Sequence, residues 1–244
     1  VLAGAIASLQ LAIILPWLVS GGGFAPGQML LGMLGWMAWA LCAVVGIVQT
    51  ADSLSREQRE GTLPLLFLTE LRGLDVILGK FVATSLPSFY CLLAVFPAMA
   101  VALPAGGVTG GEFWRTQLAL VDTLFLAVSC GLLASARHES QSDALRGALR
   151  SFLIWSVVPL IALLVPCLPV FSPAAAMVFA ADAFCRTEPW KYWGAIGSVA
   201  AGAVLQLVFA GRQLGRNVVE ADQPIRNETR AVHGDDSRLW PSPS

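Results

Sequence analysis

The stretch QMLLGMLGWMAWALCAVVGIVQT, residues 28–50, decides the fold, because it runs 23 residues without a single Asp, Glu, Lys or Arg. A helix rises 1.5 Å per residue, so about 20 mostly apolar residues cross roughly 30 Å of hydrocarbon. Working outward, five more stretches of that kind are found at about 2–20, 76–103, 113–136, 151–171 and 193–211. Between the last two, residues 173–184 are apolar but only about 12 long, too short to cross, and predict a re-entrant or interfacial helix. Composition agrees: of 244 residues 56% are apolar and 13% charged, with a mean hydropathy of +0.70. An ordinary soluble domain is about a quarter charged. The sequence therefore predicts an all-α integral membrane protein with six transmembrane helices, in a domain over 1–216 followed by a disordered, polar tail over 217–244.

Orientation follows from the basic residues, which cytoplasmic loops retain. Arg56, Arg59, Arg72, Lys80, Arg137, Arg146, Arg150, Arg212, Arg216, Arg226, Arg230 and Arg238 fall on one side of the predicted spans, and only Arg115, Arg186 and Lys191 on the other. Twelve of 15 place segments 51–80 and 137–150 and the C-terminal tail in the cytoplasm. Six spans put the N-terminus there too. Trp17, Trp114, Trp190, Tyr192 and Trp193 fall at the opposite interface, where amphipathic rings are favoured.

Several functions are excluded by what is missing. A net charge of −1 offers no basic surplus for a nucleic-acid backbone. The five cysteines, at 42, 91, 130, 167 and 185, form no close pair for a zinc ribbon or redox motif, although Cys167 and Cys185 flank one connection and could pair if it is extracytoplasmic. His138-Glu139 lacks the second His of a zinc helix, so no metal site is expected. Gly73 to Lys80 has one residue too many for a phosphate-binding loop, and Phe81 stands where Ser or Thr would bind magnesium. No nucleophile, base and acid can meet within the spans.

The polar connection at 51–75 carries the functional signal. Arg56, Glu57, Arg59 and Glu60 form a mixed-charge run, Gly61 breaks it, and Thr62 can cap a short helix with Pro64 in its first turn. That helix, 63–71, holds five Leu and Phe67. Leaving Leu65, Leu66, Phe67 and Leu68 in water would forfeit about 1.5–3 kcal/mol per side chain, so the helix must dock. The membrane surface, this protein's own bundle or a cytoplasmic partner would each serve.

The run Glu57-x-x-Glu60-Gly61-Thr62-Leu63-x-Leu65-Leu66, then Thr69-x-Leu71 and Gly79-Lys80 entering a span, resembles the signature of the type-two (ABC-2) permeases of ATP-binding-cassette transporters. The resemblance implies six spans with both termini cytoplasmic, and a coupling helix between spans two and three seated in a groove of the ABC ATPase. Glu57, Glu60, Gly61, Thr62, Leu65, Leu66 and Phe67 are the residues it assigns to that contact. The segment from Ser172-Pro173 is similar to the family's re-entrant element. Two features depart from the pattern: Glu70 stands where members commonly have Pro, and the amphipathic helix before the first span is absent. With no initiator Met, that absence leads us to expect that part of the N-terminus precedes Val1.

The resemblance implies a permease subunit, mostly an exporter in this family, working by alternating access with a second copy or a sister permease. This chain would bind no cofactor, ATP and magnesium belonging to the partner ATPase, and would not be an enzyme. A bacterial cytoplasmic (inner) membrane is the expected location. A non-transporting membrane anchor for a cytoplasmic assembly is the alternative, and an intramembrane enzyme the weaker one. Within the spans, Asp122 is the charge that stands alone, a functional candidate unless it is solvated near the outer surface or paired with a neighbouring helix. Gly194, Ser198, Gly202 and Gln206 recur every fourth residue and predict a small-residue packing face with one interhelical hydrogen bond.

Overall fold

The computed structural model describes residues 25–51, 53, 73–138, 140–161 and 171–236. The predicted first span, Cys167, and the coupling segment with Glu57, Glu60, Gly61, Thr62, Leu65, Leu66 and Phe67 lie outside them. Among the described residues there are helices and turns and no strand. In chain order these are α1 (Pro26–Ala51), α2 (Gly73–Ala100), α3 (Gly110–Arg137), α4 (Gln141–Ile161), the short α5 (Pro173–Phe179) and α6 (Asp182–Cys185), and α7 (Pro189–Asp236).

Four of these helices are long and apolar enough to cross a membrane: α1, α2 over Asp75–Ala100, α3, and α7 over Pro189–Arg216. Such helices pair the backbone N–H and C=O groups of their interior turns within the segment, which a lipid interior demands. α3 is the centre of the bundle, packing against α1, α2, α4 and α7. Its most apolar stretch is 83% buried, whereas that of α2 is 11% buried and turns Val82, Leu86 and Tyr90 outward. A peripheral apolar face of that kind suits lipid.

Helix ends follow local chemistry. Thr109 caps α3 by accepting from the Glu112 N–H (3.1 Å), and Arg137 occupies the last turn, where a cation complements the helix dipole. Ser140 accepts from the Asp143 N–H (3.2 Å) and donates to its carboxylate (2.8 Å), so α4 starts ten residues before the predicted apolar stretch. Hydropathy marks where a chain enters hydrocarbon; caps mark where a helix begins. Pro189 opens α7, which continues past Asn217, where the sequence reading begins its tail, to Asp236.

Close approaches tie the bundle together. The α2–α3 connection turns through Gly106 and Gly107 (φ +89° and +84°), a region that side chains disfavour. The Gly106 carbonyl accepts from the Gly27 N–H at 3.1 Å, and a Cβ on Gly27 would lie 2.4 Å from that oxygen. Deeper, α1 and α3 cross at small residues: a Cβ on Gly46 would lie 2.8 Å from the Ala127 Cβ, and one on Gly131 would overlap the Thr50 side chain. Small residues let helix backbones approach where no hydrophobic force drives them together in lipid.

Candidate functional site

The segment at 173–184 enters the bundle as a corner of two short helices. At about 10 Å, the seven residues of α5 cannot cross a bilayer. Ser172 caps α5 by accepting from the Ala174 N–H, while its hydroxyl donates to the Ser156 carbonyl of α4 (both 3.2 Å). Pro173 through Met177 are buried, with α5 against α3, α4 and α7.

A polar clasp closes this corner. Arg115 of α3 pairs with the Asp182 carboxylate, and its Nε donates to the Ala180 carbonyl at 2.9 Å. Thr109 donates to the same carboxylate at 2.8 Å, and Arg186 lies 3.5 Å from it. Burial disfavours charge on Asp182, but the bonds from Thr109 and Arg115 and the charges of Arg115 and Arg186 hold its carboxyl below the usual carboxylate range. Tyr192 of α7 donates to the Arg115 carbonyl at 3.0 Å. Of the aromatic residues that the sequence places together at the interface, Tyr192 is fully buried in the bundle, while Trp114, Trp190 and Trp193 are exposed. Satisfying its hydroxyl on backbone inside the clasp removes its need for water.

Beneath the clasp lies a cavity of about 280 Å³ between α1, α3 and the α5–α6 corner. Leu31 and Trp36 of α1 and Met177 and Phe184 line it with apolar surface, and Glu112 and Thr116 of α3 contribute polar groups. Glu112 Oε2 is buried with no hydrogen-bond partner among the described residues.

Asp122 lies ten residues further along α3, about 15 Å deeper. It is 7% exposed, its Oδ2 has no partner, and no ion pair to it is found among the described residues. It is therefore not solvated at a surface. On α7, Gly202 and Gln206 lie in the buried face, and a Cβ on Gly202 would come 2.3 Å from the indole of Trp155 in α4. Gly194 and Ser198 sit on its half-buried edge, the Ser198 hydroxyl bonding the Ala195 carbonyl of its own helix at 2.9 Å. The reason is geometric: a four-residue step overshoots the 3.6-residue turn by about 40°, so the ladder spirals into the buried face of Ala195, Val199, Ala203 and Leu207. Gln206 is buried, 6% exposed, on the face of α7 turned into the bundle.

The family model described as "ABC-2 family transporter protein" matches residues 6–210. The chain belongs to the ABC-2 transporter family. No curated protein matches it. The ABC-2 match spans the bundle from α1 into α7 and the corner that the clasp closes. Membership makes this an integral membrane component of an ATP-binding-cassette transporter, a class that works with an ABC ATPase.

The clasp escaped sequence reasoning, which weighed Arg115 and Arg186 only as basic residues on the minority side. Its signal was Asp182, an acid at the end of an apolar run on that same side. The crossing of α1 and α3 was missed as well, although Gly46, Ala127 and Gly131 were there to be read.

Proposed function

We propose that this chain is the permease subunit of an ATP-driven exporter, in which the helix at 63–71 couples a separate ATPase to movement of the spans. The match to the ABC-2 family over residues 6–210 carries this reading. In it, six spans place both termini and the 51–75 segment in the cytoplasm of a bacterial inner membrane. Glu57, Glu60, Gly61, Thr62, Leu65, Leu66 and Phe67 form the ATPase contact. The protein pairs with a second copy or a sister permease, and the outward apolar faces of α1 and α2 offer surface for such a partner as well as for lipid. Closure of the ATPase dimer moves the coupling helix, and the second and third spans follow, exposing the pathway to alternate sides. ATP drives transport only if the two states engage the ATPases differently. The chain itself catalyses nothing and binds no cofactor, and Asp122 is the candidate functional polar group within the spans.

Gly61→Pro and Leu66→Asp test the contact. Both variants should reach the membrane folded but lose co-purification with the ATPase. Normal pull-down by both sinks the docking assignment. A membrane anchor without transport would use the same helix; substrate-stimulated ATP hydrolysis in reconstituted vesicles supports the permease, and its absence the anchor.

A further inference from the structure

At the far end of the bundle from the clasp, α3 ends and α4 begins around a cleft of about 140 Å³. Cys130, Leu133 and Arg137 present one face of α3 to it, and Gly147, Arg150 and Ile154 one face of α4. The charges here differ from those at the clasp end. Arg115, Arg186 and Lys191 at the clasp end each face a carboxylate, and Arg146, one turn from Arg150, is 3.5 Å from Asp143. Arg137 and Arg150 have no carboxylate partner among the described residues, and both are exposed. The half-buried His138 closes the cleft over Gly147, where a Cβ would come 3.1 Å from the imidazole Nε2. Glycine is thus what lets the ring lie down at this point.

We propose that the α3–α4 cleft binds a phosphate ester, with Arg137 and Arg150 as its guanidinium ligands and His138 as its wall. A planar guanidinium matches phosphate oxygens bidentately, and two arginines that line one concavity, neither with a carboxylate partner among the described residues, leave positive charge there that an anion neutralises. The lining suits an amphiphile: Leu133 and the exposed Ile154 continue the cleft along apolar surface. Basic pockets between transmembrane helices accept anionic headgroups, and a lipid can reach this one from the surrounding bilayer. A soluble phosphoester offers the same group without the chains. This site is separate from the ATPase contact and is read without transport.

The test titrates the purified full-length chain, in neutral detergent, with dioctanoyl phosphatidylglycerol, glycerol 3-phosphate and phosphate-free dioctanoylglycerol, following the thermal midpoint. The expected result is a saturable rise with the phospholipid and none with dioctanoylglycerol. Arg137→Gln combined with Arg150→Gln should weaken the apparent affinity at least about tenfold, because the charge-assisted bonds are lost. Arg146→Gln, whose guanidinium faces Asp143, should stay within about twofold of the native chain. Gly147→Ala should weaken binding with both arginines in place, since its Cβ displaces His138. If glycerol 3-phosphate competes as well as the lipid, the phosphate site stands and its source is soluble. Should the double variant aggregate, Arg150→Lys decides, because it keeps the charge and removes the fork. Undiminished affinity in the double variant or in Arg150→Lys, equal response to dioctanoylglycerol, or no binding by the native chain overturns the proposal.

Discussion

Arg115→Met removes the hub of the clasp while keeping an unbranched stem. Two interactions disappear, the ion pair with Asp182 and the 2.9 Å bond to the Ala180 carbonyl, leaving a carboxylate and a carbonyl to find other partners. Hydrogen bonds to charged groups are worth about 1.5–3 kcal/mol each. Arg115 and Asp182 are 23% and 20% exposed, so water recovers a share. The expected loss is about 2 kcal/mol. Asp182→Asn should cost about 1–2 kcal/mol, and the double variant should fall short of the sum by about 1 kcal/mol, the coupling between residues that share a bond. Reversible unfolding in mixed micelles measures all three, and hydrogen exchange should place the loss in the α5–α6 corner. The sign of the pH dependence is fixed by the depressed Asp182 carboxyl. Its contribution is fully present above the unfolded value of about 3.9 and fades as pH falls through the lower folded value. The native chain and Asp182→Asn should therefore converge in stability at the acid end. Additive single variants, or a stability gap that persists there, would refute the clasp as an energetic unit.

Gly202→Val should destabilise the α4–α7 contact by about 1–3 kcal/mol through overpacking on Trp155, and Trp155→Leu should restore part of that loss in the same unfolding assay. Asp122→Asn keeps the shape of the side chain and removes its charge. If Asp122 acts on the transport pathway, the variant should lose ATP-driven transport while its unfolding midpoint holds or rises; a lowered midpoint with normal transport per folded molecule would make the residue structural.

Helix existence was legible wherever apolar runs were framed by charge or glycine: the predicted span at 113–136 and α3 at Gly110–Arg137 nearly coincide, bounded by Thr109 and Arg137. Boundaries were less legible where a helix extends into polar sequence, as in α4, because Ser140 caps it well before hydropathy rises. The predicted span at 76–103 overran α2, which gives way to turns after Ala100 as the chain approaches Gly106. Asp122 was readable because a lone carboxylate in an apolar run is conspicuous. The clasp was not, because Arg115 and Asp182 are far apart in the chain and neither sits in a motif. Of the four-residue ladder on α7, Gly202 and Gln206 are buried, while the drift of the period leaves Gly194 and Ser198 at the edge.

The separation that hid the clasp also dates it. Arg115 and Asp182 are 67 residues apart, and a ribosome adding about 5–20 residues per second needs roughly 3–13 s to cover that interval. For those seconds Arg115 has been synthesised and its counter-ion has not. The α5–α6 corner therefore locks only after most of the domain has emerged, and a nascent chain arrested before Asp182 should carry an open α3 end for quality-control proteases to find.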